Sequence, residues 1–165
     1  MKRLAIAMAI GSLMACGDSG PTAPTTPANI AGTYNASITA SSTCSANLPS
    51  ATRVLKYGAE VTQNGAAVQA QLIAHGGSPI TVAGTVSGQT VSFPSFSLSG
   101  STEGVAISVA ATTGTTANVA ADGSITGSLN GTYQAESGTS CNATNHQLEM
   151  RRCTIVCSGN ICVCQ

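Results

Sequence analysis

Cysteine is the residue type in this chain whose number and spacing could do chemistry. Seven stand in 165 residues, at positions 16, 44, 141, 153, 157, 162 and 164. A thiol can pair, bind a metal or carry a covalent group. The last four follow C-x₃-C-x₄-C-x-C, which is not the paired C-x₂-C knuckle of a structural zinc site, so no metal site is expected. Other chemistry is sparse. His75 and His146 have no metal-ligand spacing. His75 precedes Gly76-Gly77 at a strand end, and His146 alternates with Leu148 and Met150, which would let it line the interior near a strand start. Glu149 falls on the strand face opposite His146 and cannot orient it. Both histidines are therefore expected in surface or capping roles. No Ser sits in a Gly-x-Ser-x-Gly elbow and no paired acids stand out, so no catalytic residue is assigned and no enzyme is expected.

The first cysteine has a distinctive approach. Met1-Lys2-Arg3 is basic, and Leu4 to Met14 is an almost unbroken apolar run. As a helix that run would cover about 16 Å, roughly half a bilayer core, too short for a permanent span. A basic start, a short apolar stretch and a small residue before the break mark a secretory signal. Leu13-Met14-Ala15-Cys16 resembles the lipobox of bacterial lipoproteins. The resemblance implies that the Cys16 thiol receives a diacylglyceryl group, that residues 1–15 are removed, and that the new amino terminus is acylated. Two or three chains, at about 0.8 kcal/mol per buried methylene, make a stable membrane anchor. Gly17, where an Asp would imply retention at the inner membrane, implies the outer membrane, on its periplasmic or surface face. Residues 16–29 then form a lipidated cysteine and a tether, extended by Pro21, Pro24 and Pro27.

With Cys16 given to lipid, six thiols remain in an exported chain, an even set that reads as disulfides although fifteen pairings are open. Ser158-Gly159-Asn160 would let the tail, residues 153–165, turn on itself. Cys157 and Cys162 would then flank the turn, with Cys153 and Cys164 nested outside.

Removing the leader also takes Lys2 and Arg3. Arg53, Lys56, Arg151 and Arg152 then face six acidic residues, a net charge of −2. No basic patch is left to meet phosphates, which argues against nucleic-acid binding. Charged residues make up 7% and apolar ones 42% of the chain, a profile that is polar-neutral rather than disordered. Ser, Thr, Gly, Ala and Val suit short strands and tight turns.

From 30 to 161 apolar residues alternate with polar ones, the period of half-buried strands. The expected strands are 30–40, 53–63, 66–75, 79–87, 90–98, 103–112, 115–121, 124–135 and 145–157, with a short return over 161–164. Asn64-Gly65 predicts a two-residue type I′ hairpin that sets Val61 against Val68, Ala59 against Ala70 and Tyr57 against Leu72. A second turn at Gly88-Gln89 brings Val86 against Val91, and Pro94 predicts a break in the outgoing strand. A three-residue turn at Ala121-Asp122-Gly123 aligns Val119 with Ile125. Gly32-Thr33-Tyr34-Asn35-Ala36 is echoed by Gly131-Thr132-Tyr133-Gln134-Ala135, and each copy is followed by a loop carrying a cysteine. Two such strands run the same way only if an even step separates them. Joining 103–121 into one strand bent at Gly114 restores that parity and leaves eight strands. A closed meander would then bring the two loops together, and a Cys44–Cys141 bridge would staple the seam.

The domain expected over 30–152 is an all-β, antiparallel up-and-down meander. Gly32, Tyr34 and a late Arg151 or Arg152 resemble the Gly-x-Trp strand and crossing Arg of lipocalin-type barrels, with Tyr in place of Trp. That resemblance implies an eight-stranded lipocalin-like barrel; the alternative is an immunoglobulin-like sandwich. An eight-stranded barrel is either filled by its side chains or holds one small ligand. In the second case Tyr34, Tyr57, Leu72, Tyr133 and Met150 would line the site for a small apolar molecule. Two functions follow: a lipid-anchored module that binds such a ligand or a partner at the cell envelope, or a structural, adhesive surface lipoprotein with none. No cofactor is implied and no oligomeric state is set.

Overall fold

The computed structural model of the protein describes residues 26–74 and 78–154, together with the backbone of 155–158 and 161–164. The expectations placed on residues 1–25, on His75 and on Gly159-Asn160 lie outside the described residues. Twelve strands are present: β1 (Gly32–Thr39), β2 (Val54–Asn64), β3 (Ala67–Ile73), β4 (Ile80–Ser87), β5 (Thr90–Phe93), β6 (Phe96–Thr102), β7 (Val105–Ala111), β8 (Thr115–Val119), β9 (Ile125–Ala135), β10 (Ser140–Arg152), β11 (Ile155–Ser158) and β12 (Ile161–Cys164). Two 3₁₀ turns, Ser42–Ala46 and Ser50–Thr52, lie between β1 and β2.

The ladder runs β10-β1-β2-β3-β4-β5-β8-β9, and β9 pairs again with β10, so eight antiparallel strands close a barrel. The remaining two strands of the sheet, β7 and β6, continue it along the edge of β9 beyond β8. Chain geometry explains the split. β8 pairs with the first half of β9 and β7 with the second, so 105–119 follows β9 as one strand bent at Thr112–Gly114. The incoming partner is broken likewise at Pro94, which has no N–H to give the ladder. The eight-strand count and the bend at Gly114 are thus as the parity of the Tyr34 and Tyr133 strands predicted. The sandwich alternative is excluded by the unbroken ring.

Burial follows the pleat. β2 alternates buried and exposed from Leu55 to Val61, and β3 does the same from Val68 to Leu72. The core is continuous, from Ile30 through Met150. The outward positions carry mostly Thr, Ser, Gln and Asn; among the described residues Ile73 is the one exposed large apolar side chain.

Two of the three predicted turns keep their register: Val86 faces Val91, and Val119 faces Ile125. The first hairpin does not. Its loop is Gly65-Ala66, Asn64 pairs with Ala67, and Val61 faces Ala70 rather than Val68. Gly65 takes φ +59 while Ala66 keeps the ordinary sign, the arrangement of a II′ turn, which needs glycine only at its first central position. The slip is two residues, so the same side chains still face the core.

The last long strand also differs. β10 starts at Ser140, not 145, so Cys141 lies on a strand opposite Tyr133 rather than in a loop. It ends at Arg152, and the expected continuation to 157 becomes the separate hairpin β11–β12. A bulge between Ala143 and His146 shifts the register by one residue, which hides the first half of the strand from a period-two reading.

Cys44 and Cys141 form a disulfide across 97 residues of sequence, with Cα atoms 5.6 Å apart. Cys153 is disulfide-bonded as well. In the tail hairpin the backbone register sets Cys157 opposite Cys162 and Ile155 opposite Cys164; the side chains of Cys157, Cys162 and Cys164 lie outside the described residues.

Closing a loop of about a hundred residues is worth up to about 5 kcal/mol in the chain-entropy account. Replacing Cys44 and Cys141 by Ala together should therefore cost about 2–5 kcal/mol, read as a drop in urea midpoint; an unchanged midpoint would show the seam does not need its staple. Glu103, at φ 53, is the one described non-glycine residue in the left-handed region. Glu103→Asn should recover about 0.5–1 kcal/mol of the roughly 1–2 that region costs an L side chain, visible as a higher melting temperature.

Candidate functional site: the barrel interior and its rim

Five side chains were expected to line a ligand site: Tyr34, Tyr57, Leu72, Tyr133 and Met150. All five point inward and are buried, but they do not converge on one cavity. Tyr34 belongs to the end where the chain enters. Its hydroxyl donates to Ile30 O at 2.8 Å, and the Arg152 guanidinium lies 5.6 Å from its ring centroid while donating to the same hydroxyl. Arg152 also donates to Asn29 O at 3.0 Å. It is therefore Arg152, not Arg151, that crosses the Gly32-x-Tyr34 strand. Arg151 turns outward and pairs with Glu149 at 2.6 Å.

Tyr57 and Tyr133 fill the opposite half of the interior. The Tyr57 hydroxyl donates to Ser99 O at 3.1 Å, which draws β6 across the barrel mouth. Its burial pushes its pKa up to about 12 from the ordinary 10.0. Tyr133 is fully buried with no protein partner for its hydroxyl. Burial, with Tyr57 adding to it, moves Tyr133 up further still.

Leu72 and Met150 do meet. With Ile38, Val82, Phe93 and Phe96 among others they line a wholly apolar slot of about 20 Å³. That is close to the space one water needs, and far below the roughly 300–1,000 Å³ of small-molecule sites. As the described side chains stand, that slot is too small for a small-molecule ligand.

His146 is buried, not at the surface, although it does cap. Its Nε2 lies 3.0 Å from Gly131 O, and its Nδ1 accepts from the Ser41 N–H at 3.0 Å. A carbonyl can only accept, so Nε2 donates there, and the ring bridges β9 and the exit of β1. Both nitrogens are committed. Among the described residues no three His, Cys, Asp or Glu side chains converge on a common point.

The larger concavities are outside the barrel. One, of about 390 Å³, lies at the rim where β1 leaves, between the connection 40–53 and β10; it is lined by Thr39, Ser42, Ser45, Arg53, Asn145 and Gln147 among others. Sequence reasoning singled out none of these residues for a site. The available signal was length: the other wholly described turns span two to five residues, while 40–53 falls in the range of roughly 12–15 beyond which a connection is usually functional or disordered,.

No family model, curated protein or solved structure matches the chain. The functional reading therefore rests on its own geometry.

The raised tyrosines set an alkaline limit. A group that holds its proton more tightly when folded gives its full stabilisation below its unfolded value and loses it as pH rises through the folded one. For Tyr57 that window runs from about 10 to about 12, so stability should fall across it. Tyrosinate absorbance should rise together with loss of the near-ultraviolet circular dichroism signal; full ionisation of a still-folded protein would overturn the buried assignment.

Proposed function

We propose that this chain is a lipid-anchored, non-catalytic module of a bacterial cell envelope that acts through its outer surface. The filled interior carries this reading: a slot of about 20 Å³ leaves a carrier no room for cargo. The outward face supports it too. A barrel that spans a membrane turns apolar residues to lipid, whereas this one turns Thr, Ser, Gln and Asn outward and keeps its apolar residues inside. The anchor is then the acylated Cys16 rather than the barrel wall, with residues 16–29 as tether. The leader and Gly17 favour the outer membrane as its address.

A second reading, binding of a small apolar molecule, is favoured by the slot's lining, since Leu72 and Met150 meet there as a ligand site would require. It needs Phe96, which is only partly buried, to move aside. Titration of the purified protein with a fluorescent fatty acid, beside lipid extraction and mass spectrometry, separates the two. The surface reading expects no saturable binding and no co-purified lipid beyond the anchor; stoichiometric uptake would overturn it. Cys16→Ser should move the protein from the membrane to the soluble fraction, and retention in the membrane would remove the anchor.

A further inference from the structure

We propose that the rim groove between the connection 40–53 and β10 is a binding site for a hydroxyl-rich glycan chain; this rests on the surface-acting reading above. The groove is held in shape before any ligand arrives. Cys44, at the base of the connection, is bonded to Cys141 on β10. The Ser41 N–H is fixed by His146, and the Ser41 hydroxyl donates to Asn145 Oδ1 at 2.6 Å. At the far side Arg53 clasps the connection, donating from Nε to Leu48 O and from Nη2 to Ser45 O, each at 2.8 Å. A loop fixed at both ends loses little freedom on binding, which is how preorganisation raises affinity.

The polar groups left over have a definite character. The bulge before His146 places Asn145 beside Ser41, and the bond to Ser41 occupies its oxygen, leaving the amide nitrogen to donate. Gln147 is the reverse: its nitrogen donates to Asn145 O at 3.0 Å, leaving its oxygen to accept. The hydroxyls of Thr39, Ser42 and Ser45 can do either. An alternating set of donors and acceptors matches a ligand whose own groups do both, and sugar hydroxyls are such groups.

Other ligand classes fit less well. No carboxylate lines the groove and its one charge, Arg53, already spends N–H groups on the connection, so a highly charged partner finds no counterpart. No aromatic ring lines it either, so a nucleobase has nothing to stack on. An extended peptide would seek an open strand edge. Here Thr39 lies on β1, paired with β2 and β10, and Gln147 on β10, paired with β1 and β9, so neither offers one. About 390 Å³ of open groove falls within the range of small-ligand sites.

The test uses the full mature lipoprotein in detergent micelles, titrated by calorimetry with maltohexaose, cellohexaose and chitohexaose, and separately with an uncharged Ser/Gly/Ala peptide. Saturable binding of at least one oligosaccharide is expected, weakened at least tenfold by Gln147→Ala combined with Ser42→Ala. Gln89→Ala, at the other end of the barrel, should leave it unchanged. Circular dichroism confirms that each variant is folded. Binding of no oligosaccharide by the folded protein, binding of the peptide alone, or oligosaccharide affinity indifferent to the groove variants would overturn the site. A protein that binds none of these yet takes up no fatty acid and stays membrane-bound would lose the glycan site while keeping the surface reading, so the two fail separately.

Discussion

Everything in this fold depends on closing one seam. A meander of strands leaves its first and last members as open edges, each a row of unpaired N–H and C=O groups. β1 removes both by taking β10 as its second neighbour, at the cost of ordering the whole chain between them. Three further interactions reach across the same gap. The Cys44–Cys141 bridge spans 97 residues of sequence, the His146–Ser41 hydrogen bond 105, and the Arg152–Tyr34 contact 118. They are spread along the seam, with the bridge and His146 at the rim and Arg152 at the entry. A covalent bond, a buried imidazole and a cation over an aromatic face are different chemistries, yet each joins β1 or its exit to β10.

Closure then decides what the interior can be. The chain has three Tyr, two Phe and no Trp, and the ring of eight strands must be filled with little else that is large. Part of the answer is that strands approach closely where glycine allows. A Cβ on Gly131 would lie 1.9 Å from Ala110 O, and one on Gly127 2.7 Å from the Ala117 Cβ. Side chains are thus omitted on β9 where its paired neighbours β7 and β8 pack close. The tyrosines occupy what remains, and the small-residue composition yields a narrow barrel rather than an empty one. Packing to crystal-like density is the ordinary end of such a collapse.

Much of this was legible in the chain. Alternation located the strands, Pro94 and Gly114 marked the breaks, and parity between the Tyr34 and Tyr133 strands gave the strand count and the bridge. What failed did so for local reasons. Asn64-Gly65 tolerates positive φ at either position, so the dipeptide fixed the turn's neighbourhood but not its register. The bulge at Thr144-Asn145 inverted the pattern within β10, and Cys141 was read as a loop residue because its strand's alternation did not continue into His146. Whether the barrel would be full or hollow depends on how closely opposite walls approach, which no single strand records. The rim groove was invisible for a related reason: its residues come from β1, β10 and a long connection, and only the assembled seam sets them side by side.

The two ends of the barrel are unlike, and the difference bears on how an anchored molecule would work. At one end the entering segment is bound down: Ala28 N–H donates to Gly88 O at 2.7 Å, Ile30 N–H to the Gln63 side chain at 2.8 Å, and Arg152 holds Asn29 O. Ile30 is fully buried there, so that end is plugged by the chain's own approach. At the other end lie the connection 40–53, the disulfide and the groove, a strand's length away along β1. A tether from the proposed anchor at Cys16 would join the barrel at the plugged end, where residues 28–30 are bound down. With the proposed anchor, the plugged end faces the membrane and the groove faces away from it. The fixed connection 40–53 would then lie at the end of the barrel away from the attachment, while the tail hairpin β11–β12 follows β10 at the attached end.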